Sequence, residues 1–543
     1  MKLYFQETTT PWQPERYRYS AEQMMLTLFP GERPEYPADL PRTLEGEPSA
    51  ALFALEAEGD TAVLTAQVAW EGKTAQGQRT FPAAALNEDP HAVYHVVQHA
   101  LKLAFYQAGT ALLGHEPPWG ALTGVRPVKL PTRAMKEGAS PEEARKELEE
   151  EYRVSPRRAQ LALDCAKASL AAEQVLGTGT VSVYVGVPFC PTRCAYCSFV
   201  SADVGRTMKL LEPYVESLLK EIEATGKALR EVGLTVRTLY MGGGTPTTLS
   251  AGQMDRVLSA CEADLPLEGC VEFTVEAGRP DTITREKLEV LRAHGIGRIS
   301  INPQTLEDEV LRAIGRRHTA EDIRAAYVLA REVGFDSINM DLIAGLPRDS
   351  YEGFRRTLDG VLAMAPENIT VHTLALKKGS RLMNGAPNER KALVGERTRG
   401  DMSELSCKQE SEGYKAHEDA EKGGALPSGE ETARMLEYSL DALGGAGFRP
   451  YYLYRQKYMS GSLENVGWTL PGKESIYNIA MMEELHTVVS IGGGGVTKLV
   501  DPAKGQIVRL PNPKYPQDYL TSLDKVLAQK EELVRFYAGA RPR

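Results

Sequence analysis

Three cysteines lie close together near the middle of the chain. Cys190, Cys194 and Cys197 follow a C-x3-C-x2-C spacing. Thiolates on one loop can hold an iron–sulfur cluster or a zinc ion. Zinc sites usually pair C-x2-C motifs with a fourth Cys or His at a matching distance, and no such partner is evident. Three thiolates on a four-iron cluster leave one iron open to a further ligand. Three reduced structural thiols are the simpler alternative, but packing explains such close spacing poorly.

The residues before the cysteines read as a buried strand. Val181–Val187 is short and rich in β-branched residues, and Pro188 closes it. The cysteines therefore follow the carboxyl end of a strand. Parallel α/β folds bind their ligands at that end.

A glycine-rich loop follows the next predicted strand. Gly242-Gly243-Gly244-Thr245-Pro246 lacks side chains where a backbone would have to approach a ligand. Such a run also serves as a plain turn. Its place one strand–helix unit after the cysteines favours a ligand site. Polar residues close to the ends of later strands are further candidates, although each alone could be structural: Glu276, Gln304, Arg316 and Asp341.

Six predicted strands alternate with predicted helices. The strands are Val181–Val187, Val236–Met241, Cys270–Glu276, Arg298–Asn302, Ser337–Ile343 and Ile369–Leu374. The helices are Leu210–Arg230, Ala251–Ala263, Arg285–Ala293, Ala320–Val333 and Tyr351–Met364. This alternation predicts a parallel α/β sheet with right-handed crossovers. Six units are fewer than a closed eight-fold barrel needs.

The rest of the chain flanks this core. Residues 1–175 are predicted to form an α+β domain, with a hairpin around Gly59-Asp60 and helices at Pro90–Leu113, Ser140–Val154 and Pro156–Leu176. The loop Trp119–Pro127 could contact substrate or a partner, but domain packing is favoured. Residues 176–380 hold the strand–helix units. Residues 381–430 read as a mobile insertion, and residues 431–543 as a C-terminal α+β domain that includes the strand Arg449–Tyr454.

Bulk composition excludes several classes of protein. At 543 residues the chain is too long for one core. The net charge of −10 argues against broad binding to nucleic acid or anionic membranes. We expect no membrane span, because no run of about twenty apolar residues is present. Seven cysteines, an odd number, fit a reducing cytoplasm. The four dispersed cysteines are predicted to be small buried hydrophobes: Cys165, Cys261, Cys270 and Cys407.

The cysteine motif and its surroundings resemble the radical S-adenosylmethionine (SAM) superfamily. Within it the chain is similar to the oxygen-independent coproporphyrinogen III oxidases and their relatives, and most of all to the HemZ type. The resemblance implies a partial (β/α)6 barrel and a 4Fe-4S cluster on Cys190, Cys194 and Cys197. The open iron would chelate SAM. One electron would then cleave SAM and give a 5′-deoxyadenosyl radical.

The resemblance also assigns cofactor contacts, with two SAM molecules in one site. Gly243, Gly244 and Thr245 would hold the amino group of SAM, and Glu276 is also a contact. Tyr184 and Tyr196 match aromatic positions beside the cluster. The second SAM would contact Gln304, Arg316, Asp341 and Ala375, with Val496 as a looser match.

The implied substrate is coproporphyrinogen III, a tetrapyrrole with four propionates. Its carboxylates need cationic partners. Candidates are Arg317, Lys377, Lys378, Arg381 and Arg455, although a solvated basic face explains each equally well. Tyr451, Tyr452, Tyr454 and Trp468 could form apolar walls or belong to the C-terminal core. A flavodoxin or ferredoxin would donate electrons.

One residue leaves the substrate open. Phe199 stands where the oxidases carry a fourth cysteine, and the related haem chaperones also have Phe there. Val466 likewise replaces a Gln of the oxidases. A haem-binding chaperone of the same fold is therefore the alternative function. Another radical SAM reaction on a tetrapyrrole is a third.

Overall fold

The structure is a computed structural model that describes residues 1–6, 12–124, 126–197, 202–376, 380, 382, 426–456, 463–501 and 505–540. The chain divides into two compact units. The first holds the described residues of Met1–Leu163 together with Arg455, Gln456 and Leu463. The second holds the described residues of Asp164–Gly385, Gly423–Tyr454 and Glu464–Arg543.

The first unit is built on a four-stranded sheet in the order β1-β2-β3-β4. Its strands are β1 Lys2–Gln6, β2 Ser49–Glu58, β3 Thr61–Trp70 and β4 Lys73–Pro82. Helices α1 Arg18–Leu28 and α2 Pro90–Leu113 pack on it around a core that includes Met24, Phe53 and Phe105. The predicted hairpin and the helix Pro90–Leu113 are confirmed.

Three more helices complete the N-terminal part: α3 Lys129–Lys136, α4 Pro141–Glu150 and α5 Pro156–Leu176. Ser140 caps α4, with Glu143 in a reciprocal capping box. The sequence placed the end of this helix at Val154, and that was wrong. Arg153 has a φ of +57°, so the helix cannot run through it.

The second unit contains an eleven-stranded sheet in the order β13 (Arg449–Arg455), β14 (Glu464–Thr469), β12, β11, β10, β9, β8, β5, β15 (Val488–Ile491), β16 (Val496–Asp501) and β17 (Gln506–Pro511). Six of its strands are those predicted: β5 Thr180–Val187, β8 Thr235–Gly243, β9 Glu272–Gly278, β10 Arg298–Ile301, β11 Ser337–Ala344 and β12 Asn368–Thr373. All neighbouring pairs among them are parallel. The predicted α/β fold with a parallel sheet, a partial barrel of six strands that we call the half-barrel, is thus confirmed. Among the described strands the sheet stays open, with β13 and β17 at its edges.

Helices connect these strands, and five of them were predicted: α7 Leu211–Val232, α8 Ala251–Asp264, α9 Arg285–Ala293, α11 Ala320–Val333 and α12 Tyr351–Met364. Two short helices, α6 Val204–Thr207 and α10 Asp308–Ala313, were not predicted. Ser250 and Thr319 start α8 and α11 with capping boxes. Gly334 ends α11 at a φ of +92°, where a residue with a Cβ would be strained.

The C-terminal part adds strands on both sides of the six. On one side lie β14 Glu464–Thr469, antiparallel to β12, and β13 Arg449–Arg455. On the other, β15 Val488–Ile491 runs parallel to β5 and is followed by the antiparallel β16 Val496–Asp501 and β17 Gln506–Pro511. The remaining helices are α13 Gly429–Gly445, α14 Ile476–Glu483, α15 Pro516–Thr521 and α16 Leu523–Ala540.

A buried carboxylate ties this C-terminal part to α7. Glu221 is fully buried and pairs with Lys530 at 2.8 Å. It also accepts hydrogen bonds from the Gly492 amide at 2.7 Å, the Asn512 side chain at 3.0 Å and the Tyr519 hydroxyl at 2.6 Å. These partners satisfy both carboxylate oxygens, which a buried charge requires.

Over the described residues, every helix is too short or too polar to cross a membrane.

Candidate active site

The cysteine loop leaves the carboxyl end of β5. Phe189 and Cys190 form a short strand, β6, that pairs in parallel with β7 Ala202–Asp203. Cys194 is buried, whereas Cys190 and Cys197 are half-buried. Phe199, on which the choice of substrate depends, lies outside the described residues.

Backbone contacts attach this loop to the turn after α10. The Ala195 amide donates to the Ile314 carbonyl at 2.9 Å, and the Leu382 amide donates to the Ala195 carbonyl at 3.1 Å. The Thr192 hydroxyl donates to the Gly315 carbonyl at 3.3 Å. The cysteine loop is therefore hydrogen-bonded to the turn after α10 and to Leu382.

The glycine-rich loop lies directly against the cysteine loop. The Gly244 amide donates to the Val187 carbonyl at 2.8 Å, and the Thr245 amide donates to the Phe189 carbonyl at 2.7 Å. The Thr245 hydroxyl is 3.5 Å from the Cys190 sulfur. A Cβ on Gly244 would lie 2.4 Å from the Phe189 carbonyl oxygen, so only glycine fits. The structure thus brings two of the predicted motifs together.

Glu276 ends in the interior of the half-barrel, beside a tyrosine that sequence reasoning missed. The Tyr240 hydroxyl donates to Glu276 Oε1 at 2.7 Å. Burial raises the pKa of Glu276 to about 7, although the hydrogen bond from Tyr240 opposes the shift. Tyr184 stacks near Tyr240 at 6.3 Å between ring centroids, and Tyr477 stacks on Tyr240 at 4.5 Å.

Asp341 points into the same interior from β11. Its carboxylate accepts from the Asn339 amide at 2.8 Å and lies 3.8 Å from His372 Nε2. Burial alone would raise the pKa of Asp341, but the neighbouring His372, Asn339 and Thr370 side chains outweigh it and hold the pKa below its ordinary value. Asp341 and Glu276 are therefore two carboxylates with opposite protonation preferences in one site.

Gln304 lies beside Asp341, whereas Arg316 lies beside Tyr196 and Cys194 of the cysteine loop. Gln304 is buried and has a φ of +68°. Its backbone N–H donates a hydrogen bond to the Asp341 backbone carbonyl at 2.9 Å. Such a backbone conformation is costly for a residue with a side chain. Arg316 donates to the Asn302 carbonyl at 2.5 Å and to the Tyr196 hydroxyl at 3.3 Å. Burial disfavours its charge, but Tyr196 and Cys194 outweigh burial and raise the pKa of Arg316.

Other predicted residues stand apart. Ala375 follows β12 and Val496 opens β16, and the described contacts bring neither against the acids. Arg455 donates to the Leu122 carbonyl at 2.5 Å and lies over the Trp119 ring, so it is committed to packing. Arg317 is exposed. Lys377, Lys378 and Arg381 lie outside the described residues.

Burial decides between the alternatives for two of the tyrosines and tests the prediction for three of the dispersed cysteines. Tyr451 and Tyr452 are buried in a cluster with Ala172 and Ile479, which supports the interpretation as core. Cys165 and Cys261 are buried as predicted, whereas Cys270 is only half-buried, so the prediction for Cys270 was wrong. Cys407 lies outside the described residues.

The donor set fits a four-iron cluster, because three cysteine thiols lie on one loop. A four-iron cluster takes one thiolate per iron and spans the space between them. The buried cation Arg316 beside Cys194 compensates the negative charge that thiolates would bring.

The interior also fits an amino-acid-like ligand. Glu276 is half-buried, and its pKa is raised because its surroundings do not fully stabilise the charged carboxylate. A ligand ammonium group or ribose hydroxyls would supply what is missing. Tyr477 contributes a buried hydroxyl with no hydrogen-bond partner among the described residues.

Comparison with known proteins agrees with this geometry. A family model described as the radical SAM superfamily matches residues 184–361. The oxygen-independent coproporphyrinogen-III oxidase-like protein HemZ of Bacillus subtilis is 38% identical over 426 residues, which cover 78% of each chain. The haem chaperone HemW of Lactococcus lactis is 31% identical over 58% of this chain and 68% of its own. The solved structure of the coproporphyrinogen III oxidase HemN of Escherichia coli covers 66% of this chain and 72% of its own, with 23% identity and a TM-score of 0.46.

The half-barrel sheet and the matched segment define the class as radical SAM. The chain belongs to the radical SAM coproporphyrinogen oxidase family.

Proposed function

We propose that the protein converts coproporphyrinogen III to protoporphyrinogen IX by oxidative decarboxylation that needs no oxygen. The observation that carries this proposal is the match to the HemZ protein along 78% of both chains. That match extends well beyond the superfamily segment, which spans only residues 184–361. It therefore includes regions that flank this segment.

The residues proposed to hold the cofactors are those predicted from the sequence. Cys190, Cys194 and Cys197 would ligate a 4Fe-4S cluster. A first SAM would be held by Gly243, Gly244, Thr245 and Glu276, and a second by Gln304, Arg316, Asp341 and Ala375, with Tyr184 and Tyr196 alongside. When bound, these cofactors supply a low-potential electron and a carbon-centred radical that takes a hydrogen atom from a propionate β-carbon.

Residues of the protein position the two carboxylates that are proposed to contact SAM. Tyr240 fixes one oxygen of Glu276. Asp341 is held in its ionised form by His372 and Asn339, ready for a cationic group. Two of the four propionates would each lose one hydrogen atom to the radical, then carbon dioxide, and one electron to an acceptor, and a vinyl group would remain in place of each. The protein would work in the cytoplasm with a flavodoxin or ferredoxin as electron donor.

The decisive experiment is an anaerobic turnover. The reconstituted protein is given SAM, a reductant and coproporphyrinogen III, and the products are followed by liquid chromatography with mass detection. We expect a tricarboxylic intermediate followed by protoporphyrinogen IX. Deoxyadenosine without any vinyl product would contradict the proposal. The Cys194→Ala variant serves as the control, because it should lose the cluster absorbance.

A haem chaperone is the second candidate function. Its support is the 31% identity to the HemW chaperone. Stoichiometric haem binding that is tight and transferable, together with no loss of carbon dioxide from coproporphyrinogen III, would establish this alternative. Haem titration followed by absorbance and the turnover assay above separate the two functions on one protein preparation.

A further inference from the structure

Arg279 is a buried cation just after β9 that the cofactor assignments do not use. Its side chain is nearly inaccessible, and the residue is 3% exposed. Its Nε and Nη2 atoms donate to the two carboxylate oxygens of Asp281 at 3.0 and 2.9 Å. This bidentate geometry is specific to a guanidinium.

The third nitrogen of Arg279 reaches the cysteine loop. Nη1 donates to the Thr192 carbonyl at 3.1 Å and to the Thr192 hydroxyl at 2.7 Å. Thr192 lies between Cys190 and Cys194. Its hydroxyl in turn donates to the Gly315 carbonyl at 3.3 Å. One side chain thus connects the middle of the cysteine loop to the ends of two other strand–helix units.

The charges around Asp281 stabilise the contact between Arg279 and the cysteine loop. Burial of Asp281 would raise its pKa, but His318 and Arg279 hold that pKa well below its ordinary value. His318 Nδ1 lies 3.6 Å from the Asp281 carboxylate. Arg279 is buried, whereas Asp281 is partly exposed. All three nitrogens of the buried guanidinium donate hydrogen bonds to Asp281 or Thr192, and these bonds hold the cysteine loop against the segment after β9.

We propose that Arg279 and Thr192 form a clamp that fixes the cysteine loop in the conformation that retains the cluster. Arg279 is a positioning residue, since it contacts the loop backbone and the Thr192 hydroxyl. The inference rests on the proposed function, namely that Cys190, Cys194 and Cys197 hold a cluster.

The first test removes the hydroxyl alone. Thr192→Val keeps the shape of the side chain and leaves the Arg279–Asp281 pair intact, whereas Thr192→Ser keeps the hydroxyl. Full-length protein is reconstituted anaerobically, and iron release to a chelator is followed by absorbance. We expect release from Thr192→Val to be at least about fivefold faster than from wild type, because the variant loses the hydrogen bond from Arg279 and the one to Gly315. Thr192→Ser should restore the wild-type rate.

The second test changes the cation. Arg279→Gln should release iron faster than Thr192→Val, and Arg279→Lys should rescue only in part because an ammonium cannot make the bidentate pair. Arg285→Gln is the matched control, since Arg285 pairs with Glu332 at the surface, at 2.5 Å. It should release iron at the wild-type rate. The electron paramagnetic resonance spectrum of the reduced cluster should change in the Arg279 variants only.

The outcomes separate the clamp from the proposed function. Wild-type protein that takes up no cluster would overturn the proposed function. Wild-type protein that binds a cluster, together with a Thr192→Val variant that releases iron at the wild-type rate, would overturn the clamp. Denaturant unfolding of the cluster-free proteins excludes a general loss of stability. If Thr192→Val and Thr192→Ser unfold at the same denaturant concentration but differ in iron release, the clamp is supported.

Discussion

Glu276 shows how closely the residues of the site constrain one another. A Cβ placed on Gly242 would lie 2.8 Å from Glu276 Oε2 and 3.0 Å from the Tyr240 ring. The glycine run is therefore needed as much by the protein's own side chains as by a ligand. Tyr240 in turn holds the other carboxylate oxygen. The position of this acid is determined from both sides.

Gly242→Ala should weaken SAM binding. The added methyl group must displace the Glu276 carboxylate, and we expect an affinity loss of about tenfold, which corresponds to about 1.4 kcal/mol. Equilibrium dialysis with labelled SAM on reconstituted protein measures it. Gly252→Ala is the control, because a Cβ there meets nothing within 4 Å. An unchanged affinity in Gly242→Ala would contradict the role given to Glu276.

Glu276 should also make the stability of the cluster-free protein depend on pH. Its pKa rises from 4.5 to about 7 on folding, so the folded state binds the proton more tightly. The contribution of Glu276 is therefore fully present below pH 4.5 and is lost as the pH rises through about 7. The total change is at most about 3 kcal/mol. Glu276→Gln should lack this slope. Urea unfolding from pH 5 to 8 compares the two proteins, and parallel curves would argue against the shift.

At the level of elements, local patterns predicted the six parallel strands and the helices between them, because alternation and capping residues are local signals. The cysteine and glycine motifs were readable for the same reason. The strands β15 to β17 were missed: β15 has four residues and pairs with β5, about three hundred residues earlier in the chain. The same holds for Tyr240 and Arg279, whose partners lie 36 and 87 residues away in sequence. No local spacing encodes such contacts.

The Glu221 junction between α7 and the C-terminal part is an element-scale test. Lys530→Met should destabilise the protein by about 3 to 5 kcal/mol, because it leaves a buried carboxylate without its cation. Glu221→Gln combined with Lys530→Met should recover part of that loss. Denaturant unfolding provides the measurement. Arg535→Gln, which removes exposed ion pairs on the same helix, should change stability by less than about 1 kcal/mol. Equal effects of the two single variants would refute the importance of the junction.

At the scale of the whole molecule, we propose that the chain works as four segments: residues 1–175, 176–380, 381–430 and 431–543. The sequence places the proposed cluster and SAM contacts within the second of these, except for the looser match Val496. The contacts described for the cysteine loop come from residues 187–316 and from Leu382, which lies in the third segment. The role of the N-terminal segment is a separate question from cofactor binding.

A shortened chain tests that separation. Residues 156–543 keep α5 whole and should take up nearly as much iron and sulfide as the full chain. Anaerobic reconstitution followed by iron and sulfide analysis measures this, with Cys194→Ala in the same shortened chain as the blank. If the shortened chain folds, by circular dichroism, but binds no cluster, the N-terminal residues contribute to the cofactor site.

The pairing of β15 with β5 bears on how the protein is made. Val488–Ile491 covers the free side of the strand that leads into the cysteine loop. During synthesis on a ribosome, that strand keeps one unpaired edge until nearly nine-tenths of the chain has been translated. Unpaired strand edges promote aggregation. Iron and sulfide are therefore expected to be loaded late, after β15 has been synthesised and has paired with β5. Until then, nascent chains should depend on chaperones.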